Sequence, residues 1–256
     1  MQVQDYSLKE MMAIMAAREI KNGDIVFAGT GISMLAATAA KNINAPDCVI
    51  FFETGAIDST IEELPLAVGD PRVMYGAASN AGLLEAFATM QNRITGDKVI
   101  AILGAAQIDK YGNLNTTAIG DYHSPETRFS GSGGGCDVAS FVPRCIAFMQ
   151  HEKRKFVEKL DYLTSPGQLQ GNGTREAAGL RSGGVNVVIT NMAVMRMDSV
   201  SGEMYLDQYY PGITPQTILD NMQFSVDISR ASEATPPTQI ELKTLRQKCD
   251  PQRLIL

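Results

Sequence analysis

Short apolar runs alternate with longer amphipathic or alanine-rich stretches along most of the chain. Runs without polar residues predict strands that are covered on both faces, and the longer stretches predict helices. The first helix has Ser7 as its N-cap, with Glu10 completing a capping box. The predicted strands are 25–28, 48–52, 98–103, 145–149 and 185–190, and the predicted helices are 7–20, 33–40 and 82–91.

This repeated order of buried strands and helices predicts an α/β fold with a single open, mostly parallel sheet flanked by helices. No internal repeat, coiled-coil heptad or low-complexity tract interrupts the pattern. We expect residues 1–256 to form one domain. The tail from Ala234 to Leu256 contains Pro236-Pro237 and mixed charges, and we expect it to cover that domain rather than to form a second one.

Composition and charge narrow the classes of function. The chain is 45% hydrophobic and 20% charged, which is typical of globular proteins. Its net charge of −6 argues against a general nucleic-acid binder and implies that any anionic ligand is held by a local site. Residues 1–5 carry no secretory signal pattern, and no apolar run approaches transmembrane length. We therefore expect a cytoplasmic protein without membrane contact.

Cysteine and histidine spacing gives little support for a metal site or a hydrolase triad. The four cysteines form no C-x-x-C pair, and His123 and His151 lack metal-ligand spacing. No G-x-S-x-G elbow is present. Cys48 and Cys145 lie in apolar, strand-like contexts and are interpreted as core residues. The polar run 150–155 either solvates the end of a strand or contacts an anion or another chain of an oligomer.

Two glycine segments stand out. Gly29-Thr30-Gly31 leads from a strand into a helix, as a dinucleotide-binding turn does, but Met34 replaces the third glycine of G-x-G-x-x-G. This segment is either a plain tight turn or part of a ligand-lining surface. The run 130–135, with the sequence SGSGGG, precedes a strand and suggests positive φ angles or close approach to a ligand.

Glu53 is the unusual carboxylate of the sequence. It directly follows the apolar run 48–52, so it stands at the carboxyl end of a predicted strand, where open α/β sheets bind ligands. Gly55 permits a sharp turn and close access two residues later. Position alone leaves open a Glu53 that points to solvent or caps a neighbouring helix.

An ordered set of motifs resembles a known family. The set resembles the β-subunits of class I coenzyme A transferases, and its similarity is greatest to the glutaconate-type members. The resemblance extends over nearly the whole chain, and no single motif carries it alone. The motifs are 52–55 (FETG), 104–115 (GAAQIDKYGNLN), 120–123 (GDYH), 130–137 (SGSGGGCD), 149–154 (MQHEKR), 161–167 (DYLTSPG) and 209–211 (YYP).

The resemblance implies roles for individual residues. Glu53 matches the catalytic glutamate, although Thr54 stands where Ser or Asn is more frequent. The glycine motif departs from the family pattern because Gly135 replaces its alanine, which still leaves adjacent glycine N–H groups as oxyanion or CoA-binding donors. The donor and CoA-binding candidates are Gly133, Gly134 and Gly135. The possible substrate-lining residues are Gly29, Thr30, Gly31, Thr54, Gly55, Gln107 and Asn113, with Asp109 and Asn115 as hydrogen-bonding scaffold.

The resemblance also implies a reaction and a partner. CoA would move from an acyl-CoA to a carboxylic acid, such as the C5 dicarboxylate glutaconate, through a glutamyl-CoA thioester on Glu53 with ping-pong kinetics. CoA would be a substrate, and no permanently bound cofactor or metal would be required. A separate α-type chain would complete the site in an α2β2 or larger hetero-oligomer, since nothing in the 256 residues resembles a second fused half.

Two other functions stay open at this point. A CoA-thioester hydrolase or decarboxylase could use the same scaffold, although the retained Glu53 favours transfer. A non-catalytic ligand-binding module would leave Glu53 dispensable. The acyl donor, the acceptor acid and the partner chain are not determined by the sequence.

Overall fold

Helices and strands alternate in the order that the apolar pattern predicts. The computed structural model describes residues 5–67 and 69–256. The helices are α1 (Leu8–Glu19), α2 (Ile32–Ile43), α3 (Leu83–Gln91), α4 (Gly135–Phe141), α5 (Thr174–Ala177), α6 (Pro215–Asp220) and α7 (Gln239–Thr244), with 3₁₀ turns at Pro71–Met74 and Gly96–Lys98 and a π-helical turn at Leu245–Cys249. The strands are β1 (Ile25–Ala28), β2 (Val49–Phe51), β3 (Ala56–Ile57), β4 (Ser79–Asn80), β5 (Val99–Gly104), β6 (Gln107–Ile108), β7 (Leu114–Asn115), β8 (Ala118–Gly120), β9 (Pro125–Arg128), β10 (Arg144–Phe148), β11 (Val185–Ile189), β12 (Ala193–Met197), β13 (Met204–Tyr209) and β14 (Ser232–Glu233).

Contacts between Cα atoms divide the chain into two units. The first comprises Met1–Ile102 together with Pro236–Leu256, and the second comprises Leu103–Thr235. The organisation of 1–256 as one domain stays a prediction. Residues 1–4, on which the expectation of no secretory signal rests, lie outside the described residues. Within the described ranges, no helix combines the length and apolar character that crossing a membrane requires.

The first unit is built on three parallel strands. β1 lies between β2 and β5, with Val26 opposite Ile50 on one side and Ile100 on the other. These three side chains are almost fully buried, as expected for strands covered on both faces. β3 and β4 continue the sheet in antiparallel fashion beyond β2. The chain therefore reverses immediately after β2, at the Glu53 turn.

Two alanine-rich helices and the C-terminal tail pack together in the same unit. The Ser7–Glu10 capping box that the sequence predicts is present at the start of α1. Both α7 and the π-helical turn contact α2. Two ion pairs fasten the tail to α1: Arg18 with Glu241 at 2.8 Å, and Arg246 with Glu10 at 2.6 Å. The tail from Pro236 onwards thus covers the helices of the first unit.

The second unit combines parallel and antiparallel strands. β10 and β11 are parallel, as predicted, whereas β11, β12 and β13 form an antiparallel series that β14 extends. Two small hairpins, β6–β7 and β8–β9, precede α4. The long strands β1, β2, β5, β10 and β11 run in parallel pairs, and antiparallel strands lie outside them. The predicted α/β class, with an open and mostly parallel sheet flanked by helices, is confirmed.

Candidate active site

Glu53 lies at the tip of a tight turn between β2 and β3. The N–H of Gly55 donates to the carbonyl of Phe52 at 2.9 Å, and the N–H of Phe52 donates to the carbonyl of Ala56 at 3.0 Å. Phe52 is fully buried, Glu53 is half-buried and Thr54 is exposed. The backbone of Glu53 is therefore anchored to the core while its carboxylate reaches the edge of the sheet.

Gly55 is required by the path of the chain after Glu53. Its φ is +96°, and a Cβ atom at this position would lie 2.3 Å from the carbonyl oxygen of Ala81. The Ala81 N–H donates to the carbonyl of Gly55 at 2.9 Å, which fixes this close approach. A side chain would thus be excluded both by the left-handed backbone conformation and by contact with backbone atoms. The predicted sharp turn is present, and its second cause is the neighbouring strand.

The Gly29-Thr30-Gly31 turn emerges beside the Glu53 turn. Phe27 of β1 pairs with Phe51 of β2 in parallel register, so the segments that follow both strands leave the sheet at the same edge. Gly31 has φ of +74° and is the N-cap of α2, without a side-chain cap. The N–H groups at the start of α2 therefore belong to the same edge as Glu53, where their partial positive charge favours an anion.

The two acidic side chains near the end of β2 differ in their partners. Asp58 pairs with Lys41 at 2.5 Å, and Lys41 also donates to the carbonyl of Cys48 at 2.7 Å. The Glu53 carboxylate forms no hydrogen bond or ion pair with any residue that the structure describes. Its oxygens are consequently available to a substrate, whereas Asp58 is neutralised locally.

The glycine loop of the second unit leads into α4. Gly131 and Gly133 have positive φ angles, of +89° and +48°. The carbonyl of Ser132 accepts from the N–H of Gly135 at 2.8 Å, and its hydroxyl accepts from the N–H of Cys136 at 3.0 Å.

These bonds separate the three predicted donors. The N–H of Gly135 is already bound to Ser132. The N–H groups of Gly133 and Gly134 have no acceptor among the described residues. Gly135 contributes space instead, since a Cβ atom there would lie 3.2 Å from the hydroxyl of Ser165. Of the three, Gly133 and Gly134 retain free donors for a ligand.

Arg175 is a buried cation that the sequence analysis missed. Its side chain is fully buried, and its guanidinium donates five hydrogen bonds to backbone carbonyls rather than to a carboxylate. Two acceptors, Ala139 and Ser140, belong to the end of α4, at 2.7 and 3.2 Å. The other acceptors are Pro166, Gly167 and Arg181 at 3.0, 2.8 and 2.6 Å. Burial lowers the pKa of Arg175, but a guanidinium remains protonated at any physiological pH.

This clamp holds the glycine loop from behind. The carbonyls at the C-terminal end of a helix lack intrahelical partners and carry partial negative charge. Arg175 satisfies two of them on α4, whose other end begins at the glycine loop. No local pattern marks Arg175 in the sequence, because its acceptors lie at distant positions along the chain.

Gln107 and Asn113 are tightly bonded within the protein. The Asn113 side-chain oxygen accepts from the N–H groups of Gly167 and Leu169 at 2.8 and 3.2 Å. Its amide nitrogen donates to Asp109 and to the carbonyl of Leu169, both at 2.8 Å. Both polar atoms of Asn113 are therefore occupied. This arrangement fits the predicted scaffold role better than a substrate contact.

Gln107 has a similar network but also faces a cavity. It donates to Asp161 at 2.8 Å and accepts from Asn115 at 2.7 Å. Burial acts to raise the pKa of the nearby Asp109, and the hydrogen bonds from Asn113 and Tyr111 only partly offset that effect. The structure thus places Gln107, Asp109, Asn113 and Asn115 together as one polar framework.

A cavity of about 680 Å³ lies within the second unit beside this framework. Its wall includes Ala105, Ala106 and Gln107 after β5, and Ser130 at the start of the glycine loop. The side chains of Arg154 and Lys155 also line it. The last two residues of the polar run 150–155 therefore border a space of ligand size.

Histidine and cysteine side chains are unsuited to chemistry in this fold. His151 is buried against Phe156, with ring centroids 4.3 Å apart, and its Nε2 lies 3.1 Å from the carbonyl of Ile218. Burial lowers the pKa of His151 to about 4. It also raises the pKa of Cys48 to about 11 and that of Cys145 to about 12, so both are neutral core thiols. Among residues 5–67 and 69–256, no group of three His, Cys, Asp or Glu side chains is arranged to hold a metal ion.

Known proteins share this sequence and fold. The coenzyme A transferase family model matches residues 9–221. The chain is 42% identical over 250 residues to the B subunit of glutaconate CoA-transferase from Acidaminococcus fermentans, covering 96% of this chain and 94% of that protein. It is 34% identical to the B subunit of 3-oxoadipate CoA-transferase from Pseudomonas knackmussii, covering 94% of this chain and 92% of that protein. The crystal structure of glutaconate coenzyme A-transferase from A. fermentans matches with a TM-score of 0.94 and 40% identity, over 98% of both chains.

These matches agree with the motif order along the chain. The matched range contains the Glu53 turn, the Gln107–Asn115 framework and the glycine loop. The resemblance to the β-subunits of class I coenzyme A transferases, drawn from the ordered motifs, is confirmed. The chain therefore belongs to the coenzyme A transferase family, and it is a CoA-transferase.

Proposed function

We propose that this chain is a β-type subunit whose Glu53 carboxylate is the nucleophile of CoA transfer. The observation that carries the proposal is the state of that carboxylate: it is half-buried at a strand end, on an anchored turn, and without a partner among the described residues. A carboxylate fixed by its backbone but free at its oxygens can be positioned for attack without first breaking an ion pair.

The first half of the reaction moves CoA onto the enzyme. A Glu53 oxygen attacks the thioester carbonyl, the carbon–sulfur bond breaks, and CoA thiolate leaves a mixed anhydride between Glu53 and the acyl group. The thiolate then attacks the Glu53 carbonyl carbon of the anhydride. The first carboxylic acid departs as its carboxylate, and Glu53 is left as a CoA thioester.

The second half regenerates Glu53. The acceptor carboxylate attacks the Glu53 thioester to give a new anhydride and CoA thiolate. The thiolate attacks the acceptor carbonyl, which produces the new acyl-CoA and free Glu53. The energy of the thioester is retained throughout, so the reaction requires neither ATP nor a metal, and CoA enters only as part of a substrate.

Each attack creates a tetrahedral oxyanion that needs hydrogen-bond donors. In this proposal the free N–H groups of Gly133 and Gly134 serve that role. Loss of one such donor typically lowers the rate by about 10²–10³. Water must also be kept from the anhydride and the thioester, because hydrolysis would end the transfer.

The names of two relatives support a dicarboxylic substrate. Glutaconate and 3-oxoadipate both carry a second carboxylate remote from the acyl carbon. We propose a C5 acid such as glutaconate as acceptor and acetyl-CoA as donor. Both names also designate one lettered chain of a larger enzyme, which supports an α-type partner chain in an α2β2 or larger assembly. We expect this complex to act in the cytoplasm and the isolated β-type chain to have little activity.

The test uses the complex purified with its α-type partner. Incubation with an acyl-CoA followed by borohydride should reduce the enzyme-bound thioester, inactivate the enzyme and convert Glu53 to an alcohol that peptide mass spectrometry locates. Glu53→Gln should lose transfer and trapping. Glu62→Gln, an exposed carboxylate in the same unit, should retain both. Reduction at another residue would overturn the role of Glu53.

The same assay separates transfer from hydrolysis. With acetyl-CoA and labelled glutaconate, transfer produces labelled glutaconyl-CoA in proportion to the acetate released. Free CoA without a new thioester would identify a hydrolase, and labelled carbon dioxide would identify a decarboxylase. Full activity or ligand response in Glu53→Gln would instead favour a non-catalytic binding module.

A further inference from the structure

We propose that the cavity beside the glycine loop binds an oxyanion of the substrate, with Lys155 as its principal cation and Arg154 at its rim. The oxyanion is either the remote carboxylate of a dicarboxylic acyl group or a phosphate of CoA. The inference rests on the proposed function, since it assigns the part of the substrate that lies away from the reacting thioester.

The walls of the cavity suit an extended acyl chain. Apolar side chains from Ala105, Ala106 and Phe129 alternate with the hydroxyls of Thr116 and Ser130. The volume of about 680 Å³ falls within the usual range of small-molecule sites, roughly 300–1,000 Å³. Ser130 begins the loop that presents the free N–H groups of Gly133 and Gly134. An acyl group whose carbonyl oxygen meets those donors therefore has a space nearby for its remaining atoms.

Two cations at this cavity share one carboxylate. Arg154 pairs with Glu152 at 2.6 Å, and Lys155 approaches the other oxygen of Glu152 at 3.4 Å. The Lys155 side chain is 21% exposed and that of Arg154 is 80% exposed. One carboxylate cannot neutralise both cations, so positive charge remains here in a chain with a net charge of −6. A site of this kind matches the expectation that an anion is held locally.

The backbone fixes Lys155 in place. Its carbonyl accepts from the N–H of Ile108 at 2.7 Å, and its own N–H donates to the carbonyl of Glu152 at 2.8 Å. Ile108 follows Gln107, which lines the same cavity. Lys155 is therefore tied to the wall that it shares with Gln107, whereas Lys153, two residues earlier, is exposed and does not line the cavity.

Glu126 provides a contrast of opposite sign. It lies on β9 and is an acidic member of the cavity lining. A bound anion would be repelled by Glu126 and attracted by Lys155. Removing each charge should hence change the binding of an anionic substrate in opposite directions.

The test compares substrates with one, two or no free carboxylates in the α/β complex. Ping-pong kinetics allow separate KM values for acetyl-CoA, glutaconate and propionate. Lys155→Met should raise KM for glutaconate about tenfold or more, because a charge-assisted contact is lost. It should leave KM for propionate and acetyl-CoA within about twofold if the oxyanion is the remote carboxylate. Lys155→Arg should keep the wild-type preference, and Glu126→Gln should lower KM for glutaconate.

The outcomes distinguish the two sources of the oxyanion and the failure of the proposal. A rise in KM for acetyl-CoA alone would assign the site to a CoA phosphate. Equal KM values in Lys155→Met and the Lys153→Met control would overturn the inference, provided that both variants melt like the wild type. If the wild-type complex transfers no CoA, the proposed function fails, and calorimetric binding of glutaconate and CoA to the same variants still tests the site.

Discussion

Replacement of Arg175 by Met should weaken the second unit and slow catalysis together. Arg175 is fully buried and joins three chain segments through five hydrogen bonds to carbonyl oxygens. Met retains much of the apolar volume but has no donor. The carbonyls of Ala139 and Ser140 at the end of α4 would then lose their partner in a buried environment.

The expected loss of stability follows from these contacts. A buried polar group left without a partner costs about 1–3 kcal/mol, and five acceptors would exceed 5 kcal/mol if none relaxed. Removing the guanidinium also removes the cost of burying its charge, which offsets part of that sum. We therefore expect a decrease of about 3–5 kcal/mol in the free energy of unfolding. At about 2–4 °C per kcal/mol, Tm should fall by about 6–20 °C.

The assay combines urea denaturation with amide hydrogen exchange. Exchange should accelerate most in peptides covering 130–141, because α4 and the glycine loop lose their anchor. In the α/β complex, kcat should fall more than KM rises, since the loop donors act on the tetrahedral intermediate. Arg93→Met, at an exposed arginine of the first unit, is the control. A loss below about 1 kcal/mol, or unchanged exchange in 130–141, would refute the clamp.

Two further predictions concern the Gly55 turn and the buried histidine. Gly55→Ala should destabilise the first unit by about 2–4 kcal/mol in urea, because φ is +96° and the new Cβ would meet Ala81, whereas Gly29→Ala, in open space, should cost less than about 1 kcal/mol. Because burial lowers the pKa of His151 to about 4, the unfolded chain binds a proton that the folded one refuses, and stability should fall by roughly 3 kcal/mol as pH drops from 6.5 to 4. His151→Phe should flatten that decrease in pH-dependent melting, and His123→Phe, at an exposed position, should not; an equal slope in all three proteins would contradict the prediction.

Local signals predicted the elements whose stabilising contacts are close in sequence. The α1 capping box joins residues three positions apart, and both of its hydrogen bonds are present. The apolar run 25–28 coincides with β1, because a strand buried on both faces must be apolar throughout. The helix predicted at 33–40 is extended to Ile32–Ile43, since Gly31 begins it and tertiary packing continues it past the alanines.

Elements that depend on distant partners were not predicted. β9, Pro125–Arg128, is mostly exposed and contains no apolar alternation, so only its pairing with β8 makes it a strand. β12 and β13 mix polar residues into an antiparallel hairpin that follows the parallel pair β10–β11. Hydrogen bonding across such hairpins is decided by register between separate segments, which periodicity in one segment does not reveal.

The same limit applies to the candidate site, and it concerns the use of polar atoms more than their positions. Glu53 and Asp58 are both acids near the end of β2, yet Lys41 occupies only Asp58. Among the loop glycines, Ser132 binds the N–H of Gly135 and leaves that of Gly134 free.

Each of these outcomes depends on a partner that the local pattern does not indicate. A family motif marks where such groups stand, because it retains their order along the chain. The fold then decides which groups still have unused hydrogen-bonding capacity for a substrate. By this criterion Asn113, with both side-chain polar atoms bonded internally, belongs to the framework, and Lys155, which shares Glu152 with Arg154, has charge left for a ligand.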